Sequence, residues 1–322
     1  MRIEDIQQTV AEPFSQVNDL IRDRLSSRVP LVSKIAQYII ESGGKRMRPM
    51  LVLLCSQALG VQSDRQIKLA TVIEFLHTAT LLHDDVVDTS NLRRGKATAN
   101  AQWGNAPSVL VGDFLYSRAF QLMVEMGDMR VMEVLANATN IIAEGEVFQL
   151  MNCKNPDISE ATYFEVIKNK TAMLFEASTH SAALLANAPD ATVTALQNFG
   201  LHLGMAFQLI DDLLDYTGDS QVMGKNLGDD LAEGKPTLPL LFAMRNGTEQ
   251  QRKIIRHAIE EGGLEELPAV MRAVADTGAL EHVRKIAQNE AGIGCAAIAH
   301  LPHSSHHEAL RKLAEFAVNR NY

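Results

Sequence analysis

The sequence predicts an all-α fold, and three observations carry that expectation. Apolar residues recur at helical spacing almost everywhere, beginning with Ile3, Ile6 and Val10 and continuing through Val17, Leu20, Ile21 and Leu25. Two runs, Ile67 to Leu82 and Phe199 to Tyr216, are apolar nearly all round, as in helices enclosed by other helices. No convincing strand-like alternation occurs, and no repeat, low-complexity linker or charge run divides residues 1–322, so one domain is expected. With 322 residues and 46% hydrophobic content, the chain can bury a large core.

Taken in order, Pro30 marks a boundary near a helix start, and the helical pattern from Leu31 to Ile40 stops at Ser42-Gly43-Gly44. The basic cluster Gly43-Gly44-Lys45-Arg46-Met47-Arg48-Pro49 follows. Its glycines let backbone approach a ligand, and its cations lead into a helix whose N-terminal dipole favours anions. A diphosphate clamp and a solvated basic turn both fit this cluster taken alone.

The first enclosed run ends in His83-Asp84-Asp85-Val86-Val87-Asp88, and the second contains Asp211-Asp212-Leu213-Leu214-Asp215. On a helix, four residues span about 400° and roughly 6 Å, which stacks Asp84 over Asp88 and Asp211 over Asp215. Carboxylate ladders of this kind repel each other unless cations lie between them. Hard oxygen ligands suit Mg²⁺, which takes one or two carboxylates together with substrate phosphates. His77 lies about two turns before Asp84 and can reach the same cavity, although a lone His in an apolar run is commonly a satisfied core residue.

After Asp88 the polar stretch Thr89 to Lys96 reads as a loop carrying Arg93 and Arg94 beside the first ladder, where paired guanidinium forks suit two phosphate groups. Asp113 to Gly127 and Arg130 to Met151 read as helices, with Phe114, Phe120 and Met123 most simply core. Asn155-Pro156-Asp157 is a turn, and Ser159 can cap a helix running toward Lys170-Thr171, with Lys170 a surface cation by default. Gln208, three residues before Asp211, is polar in apolar surroundings and needs a partner. Lys225 and Lys235 bring further cations after the second ladder. His303 and His307 have ligand spacing, but Pro302 and Ser304-Ser305 favour a turn or helix start there.

The net charge of −9 argues against a nucleic-acid surface. Cys55, Cys153 and Cys295 are far apart and lack zinc-type spacing, which points to a reducing compartment. The N-terminal stretch lacks a signal-peptide pattern and no apolar run is long enough to span a bilayer, so a cytoplasmic location is expected.

GGKRMRP, HDDVVD followed by RRG, the Lys170-Thr171 pair, FQLIDDLLD and GKNLGDDLAEGKPTLP occur here in one order. In that order they closely resemble the trans-type polyprenyl diphosphate synthases, and among them the octaprenyl diphosphate synthases of bacteria. The resemblance covers most of the chain. It implies a large helical bundle around a central cavity, usually homodimeric, with the two Asp-rich motifs on opposite walls. It further implies Mg²⁺, three ions with bound diphosphate, held by Asp84, Asp88 and Asp211 with Asp85, Asp212 and Asp215 nearby. Isopentenyl diphosphate would meet Lys45, Arg48, His77 and Arg94. The allylic diphosphate would meet Arg93, Lys170, Lys225 and Lys235, with Thr171 and Gln208 near the developing cation.

For product length the resemblance flags Ala79 and Thr80, before the first ladder, as too small to stop a growing chain. Met123 is a candidate floor for the tail, with core packing as its competing role. The expected product has near eight all-trans isoprene units and serves a quinone side chain, with brief membrane contact for its release. The alternatives are a farnesyl or geranylgeranyl synthase, a non-catalytic partner subunit, which would lose an Asp-rich motif, and a terpene cyclase, which would carry a mixed second metal motif.

Overall fold

The computed structural model describes residues 3–217, 227–262 and 264–320. Helices α1 (Ile3–Gln7), α2 (Ala11–Arg24) and α3 (Pro30–Glu41) lead to α4 (Met47–Ala58) and the long α5 (Asp64–Val87). Then come α6 (Ala99–Trp103), α7 (Asn105–Met126), α8 (Met129–Asn152), α9 (Glu160–Ile167), α10 (Met173–Leu185) and α11 (Asp190–Thr217). The C-terminal part holds α12 (Asp229–Ala232), α13 (Leu238–Asn246), α14 (Glu249–Glu261), α15 (Leu267–Asp276), α16 (Ala279–Ala297) and α17 (Ser305–Asn319). The all-α expectation is met among the described residues apart from one two-stranded ribbon.

That ribbon lies in the stretch expected to be a loop. Strands β1 (Leu92–Arg93) and β2 (Lys96–Ala97) pair antiparallel, with Leu92 opposite Ala97 and Arg93 opposite Lys96. Arg94 and Gly95 both take positive φ, 53° and 73°, the backbone that a two-residue hairpin requires. The turn separates the two arginines, leaving Arg93 on a strand and Arg94 at the tip.

Helices α5 and α11 carry the Asp-rich motifs and owe their enclosure to the all-round apolar pattern. Leu69, Val72, Ile73, Phe75 and Leu82 on α5, and Phe199, Leu209, Ile210 and Leu213 on α11, are fully buried. Against α5 runs α7, which starts at Asn105 rather than Asp113 and ends at Gly127 in the left-handed conformation. Val109 and Leu110 in its first turns are exposed. Ser159 caps α9 as expected, its side chain accepting from Thr162 N–H.

Between α9 and α10 the chain does not stay α-helical, as the spacing had implied. Lys168–Ala172 forms one π turn, which re-aims Lys170 and Thr171. Two glycines on neighbouring helices let this turn approach. A Cβ at Gly145 on α8 would sit 3.0 Å from Lys170 N, and one at Gly204 on α11 would sit 2.5 Å from Ala172 Cα. Any side chain at either position would push the turn away from the walls that hold the carboxylates.

Candidate active site

The first ladder divides into two open carboxylates and one buried. Asp84 and Asp88 side chains are 18% and 22% exposed, whereas Asp85 is completely buried. Arg93 donates to Asp85 Oδ1 through Nε and Nη2, at 2.9 and 2.7 Å, and Asp85 Oδ2 has no hydrogen-bond partner. The helical turn sends Asp84 and Asp88 to one face and Asp85, about 100° round from Asp84, into the wall. Arg93 therefore sits beside the ladder, as expected, and is held through the buried member.

Lys170 is not a surface cation. Its ammonium donates to Glu146 Oε2 at 2.6 Å and Gln149 Oε1 at 2.8 Å and lies 4.0 Å from Asp84 Oδ2. The π turn faces it inward, which helical spacing alone could not show. Burial pushes the Asp84 carboxyl up, and Lys170 pulls it back. Glu146 is raised to about 7, first by burial and then by Asp84, against the opposing pull of Lys170. Lys235 donates to Asp88 Oδ2 at 3.0 Å and also pairs with Glu233.

On α11 the expected ladder of Asp211 over Asp215 does not open to one face. Asp211 is 38% exposed and pairs with Arg320 at 2.8 Å. Asp215 is fully buried, and its Oδ2 accepts from Asp230 N–H at 3.2 Å, because the turn leading into α12 folds back over it. Asp212 is buried as well, accepting from Tyr163 Oη at 2.5 Å and from Gln208 Nε2 at 2.7 Å. Burial, followed by Asp230, raises its carboxyl to about 8. Gln208 has the partner it required on both sides, since Thr171 Oγ1 donates to its Oε1 at 2.8 Å.

The cations of the first basic cluster split between two directions. Arg48 lies over the Phe175 ring at 4.3 Å and donates to His77 Nε2 at 3.2 Å. Burial and then Arg48 hold His77 well below the usual imidazole range, so its ring is neutral and accepts here. Arg94 reaches back from the hairpin tip to donate to Gly43 O, and its guanidinium fills the space a side chain on Gly44 would need. Lys45 lies 5.2 Å from the Phe316 ring, and burial followed by Arg320 lowers its pKa to about 8. Arg46 points elsewhere, donating to Asn18 Oδ1 and Ile40 O. Lys45, Arg48, His77 and Arg94 thus gather around α4 and α5, while Lys225 lies outside the described residues.

A model of the polyprenyl synthetase family matches residues 29–276. The chain belongs to that family. It is 51% identical to octaprenyl diphosphate synthase of Escherichia coli over all of both chains. To the Haemophilus influenzae octaprenyl diphosphate synthase it is 49% identical, over 100% of this chain and 98% of that one. A solved polyprenyl synthase from Caulobacter crescentus, complexed with calcium and isoprenyl diphosphate, superposes with a TM-score of 0.97 at 43% identity, covering 100% of this chain and 98% of that one.

In this polyprenyl synthetase several site groups escaped sequence reasoning. Glu146 and Gln149 stand three apart on α8 and could have been flagged as polar neighbours on one helical face. Tyr163 belongs to no motif in the sequence. Arg320 carried no motif, and only folding brings it to Asp211, where it also donates to Phe207 O at 2.7 Å and covers the Phe207 ring at 3.8 Å. Of the length positions, Ala79 is fully buried, Thr80 donates to His77 O at 2.8 Å, and Met123 is buried on the adjacent α7. Ser304 caps α17 by accepting from His307 N–H, so the histidine segment is a helix start, as its sequence favoured.

The donor set fits a divalent cation shared with phosphate. Among the described residues no three His, Cys, Asp or Glu side chains converge to hold a metal alone. The open carboxylates Asp84, Asp88 and Asp211 instead carry the ammonium and guanidinium groups of Lys170, Lys235 and Arg320. Mg²⁺ is commonly held by one or two carboxylates, the remaining ligands being water and phosphate oxygen.

Proposed function

We propose that this polyprenyl synthetase condenses isopentenyl diphosphate repeatedly onto an allylic diphosphate, farnesyl diphosphate being the starter, to give an all-trans chain of near eight isoprene units for quinone side chains. One observation supports this most directly. Three partly open carboxylates each face a cation contributed by a distant segment, an arrangement suited to exchanging these internal pairs for metal and diphosphate. Full-length identity near one half with two octaprenyl diphosphate synthases supports the product length.

In this reading Asp84, Asp88 and Asp211 would hold Mg²⁺, three ions with the diphosphate, and the metal would supply positive charge to offset that developing on the leaving group. Lys170 and Lys235, anchored by Glu146, Gln149 and Glu233, bind the allylic diphosphate, with Arg93 steadied by Asp85 and Lys225 assigned from sequence alone. Lys45, Arg48, His77 and Arg94 bind isopentenyl diphosphate. The neutral His77 donates through Nδ1 while its Nε2 stays on Arg48, and the hydrogen-bonded pair Thr171–Gln208 turns oxygen lone pairs toward the allylic cation. Alignment of the two substrates is the entropic part of the rate, and the apolar walls keep water from the cation. The departing diphosphate takes the proton, so no side chain is assigned as general base.

We read residues 1–322 as one cytoplasmic domain acting as a homodimer, touching membrane only to release product. Phe120 and Val124 on α7 and Val147, Leu150 and Met151 on α8 are large apolar side chains exposed in the single chain, which supports a partner there. No described helix is long and apolar enough to cross a membrane. The test is purified protein with Mg²⁺, labelled isopentenyl diphosphate and farnesyl diphosphate, the products being dephosphorylated and sized. A ladder ending near eight units is expected; a stop at farnesyl or geranylgeranyl length would overturn the product assignment.

A further inference from the structure

A buried acid lies beside the basic cluster that leads into α4. Glu74 lies on α5, 7% exposed and one turn before His77, so the two residues share a face. Its Oε1 is 3.8 Å from Arg46 Nε, and its Oε2 has no hydrogen-bond partner. Burial pushes its carboxyl up, and Arg46, Arg94 and Arg48, in that order, oppose the push.

The guanidinium groups nearby come from different segments. Arg46 occupies the N-cap of α4 with φ of 45°, a strained conformation for a residue with a side chain, and turns back to Asn18 and Ile40. Arg48 faces the opposite way, onto His77 and Phe175, and Arg94 crosses from the hairpin to Gly43. Like charges gathered in a half-buried site repel one another whenever no anion is bound. A carboxylate beside an anion site weakens binding by repulsion unless it does something else for the site. Ordering the cations before the ligand arrives is such a role.

We propose that Glu74 is a positioning residue of the isopentenyl diphosphate clamp: buried on the His77 face of α5 and paired with Arg46, its carboxylate balances the cations beside it and keeps the clamp ordered without itself touching the diphosphate. The inference rests on the assignment of Lys45, Arg48, His77 and Arg94 to isopentenyl diphosphate.

Glu74→Gln keeps the shape and removes the charge. Calorimetric titration of the full chain with isopentenyl diphosphate, together with steady-state kinetics, should show Kd and apparent KM for that substrate rising about tenfold. The KM for farnesyl diphosphate should not move, and kcat should stay within about twofold. Glu74→Asp, which retains the charge, should recover part of the affinity. A merely repulsive neighbour would give the opposite sign, so unchanged or tighter isopentenyl diphosphate binding in folded Glu74→Gln overturns the proposal. Should that variant fail to fold, Arg46→Gln decides instead: selective loss of isopentenyl diphosphate affinity supports the role, and unchanged affinity sinks it. Lys45→Ala is run alongside. If Lys45→Ala weakens isopentenyl diphosphate while Glu74→Gln does not, only the role of Glu74 falls; if Lys45→Ala has no effect, the clamp assignment and this proposal fall together.

Discussion

Lys235 Nζ lies 3.0 Å from Asp88 Oδ2, so the segment following the second Asp-rich motif closes onto the last carboxylate of the first. Burial opposes the ammonium, yet Asp88, Asp230 and Glu233 together hold its pKa above the ordinary lysine value. The charge is therefore kept in place for an incoming diphosphate. Lys235→Ala should raise the apparent KM for the allylic substrate by about tenfold or more, with little change for isopentenyl diphosphate. A variant that weakened only isopentenyl diphosphate would reverse the assignment of the two clamps.

The two walls should be separately indispensable, because Asp84 and Asp211 are open carboxylates on different helices and neither can replace the other. Asp84→Ala and Asp211→Ala are each expected to lower turnover by about 10²-fold or more, with far-UV circular dichroism unchanged. Near-normal turnover in either variant at saturating Mg²⁺ would contradict the two-wall arrangement.

Lys45 supplies a pH signature. Burial, reinforced by Arg320, depresses its pKa to about 8 from the usual 10.5, so its ammonium is present below that value and lost as pH rises through it. Isopentenyl diphosphate affinity, measured by titration in the absence of allylic substrate, should accordingly weaken between about pH 7 and pH 9. Lys45→Arg should keep binding strong across that range, since guanidinium does not titrate there. An identical alkaline decline in Lys45→Arg would remove Lys45 as its source.

Ala79 is fully buried on α5, five residues before Asp84, with no side-chain bulk to obstruct a growing tail. Ala79→Tyr should shorten the product to roughly farnesyl or geranylgeranyl length by filling that space, accompanied by some loss of thermal stability from overpacking. Product sizing and a melting curve on the same preparation read both effects. An unchanged product length would show that the tail does not pass this level.

Much of this molecule is written in short-range pattern. Helix type follows from spacing that repeats every 3.6 residues, and the Ser159 cap and the Gly127 stop need only neighbours in sequence to be recognised. That Asp84 and Asp88 share one helix face follows from their four-residue spacing. Other features depend on residues far apart. Lys235 meets Asp88 across 147 residues and Arg320 meets Phe207 across 113, contacts that exist only once helices pack at particular distances. Lys170 faces inward because a π turn fits between Gly145 and Gly204, and Asp215 is closed off because the turn into α12 folds over it. Periodicity decides which face of a helix is apolar. Which carboxylate stays open to metal and which is spent on structure depends on the groups that close packing brings against it, and only the tertiary structure decides those.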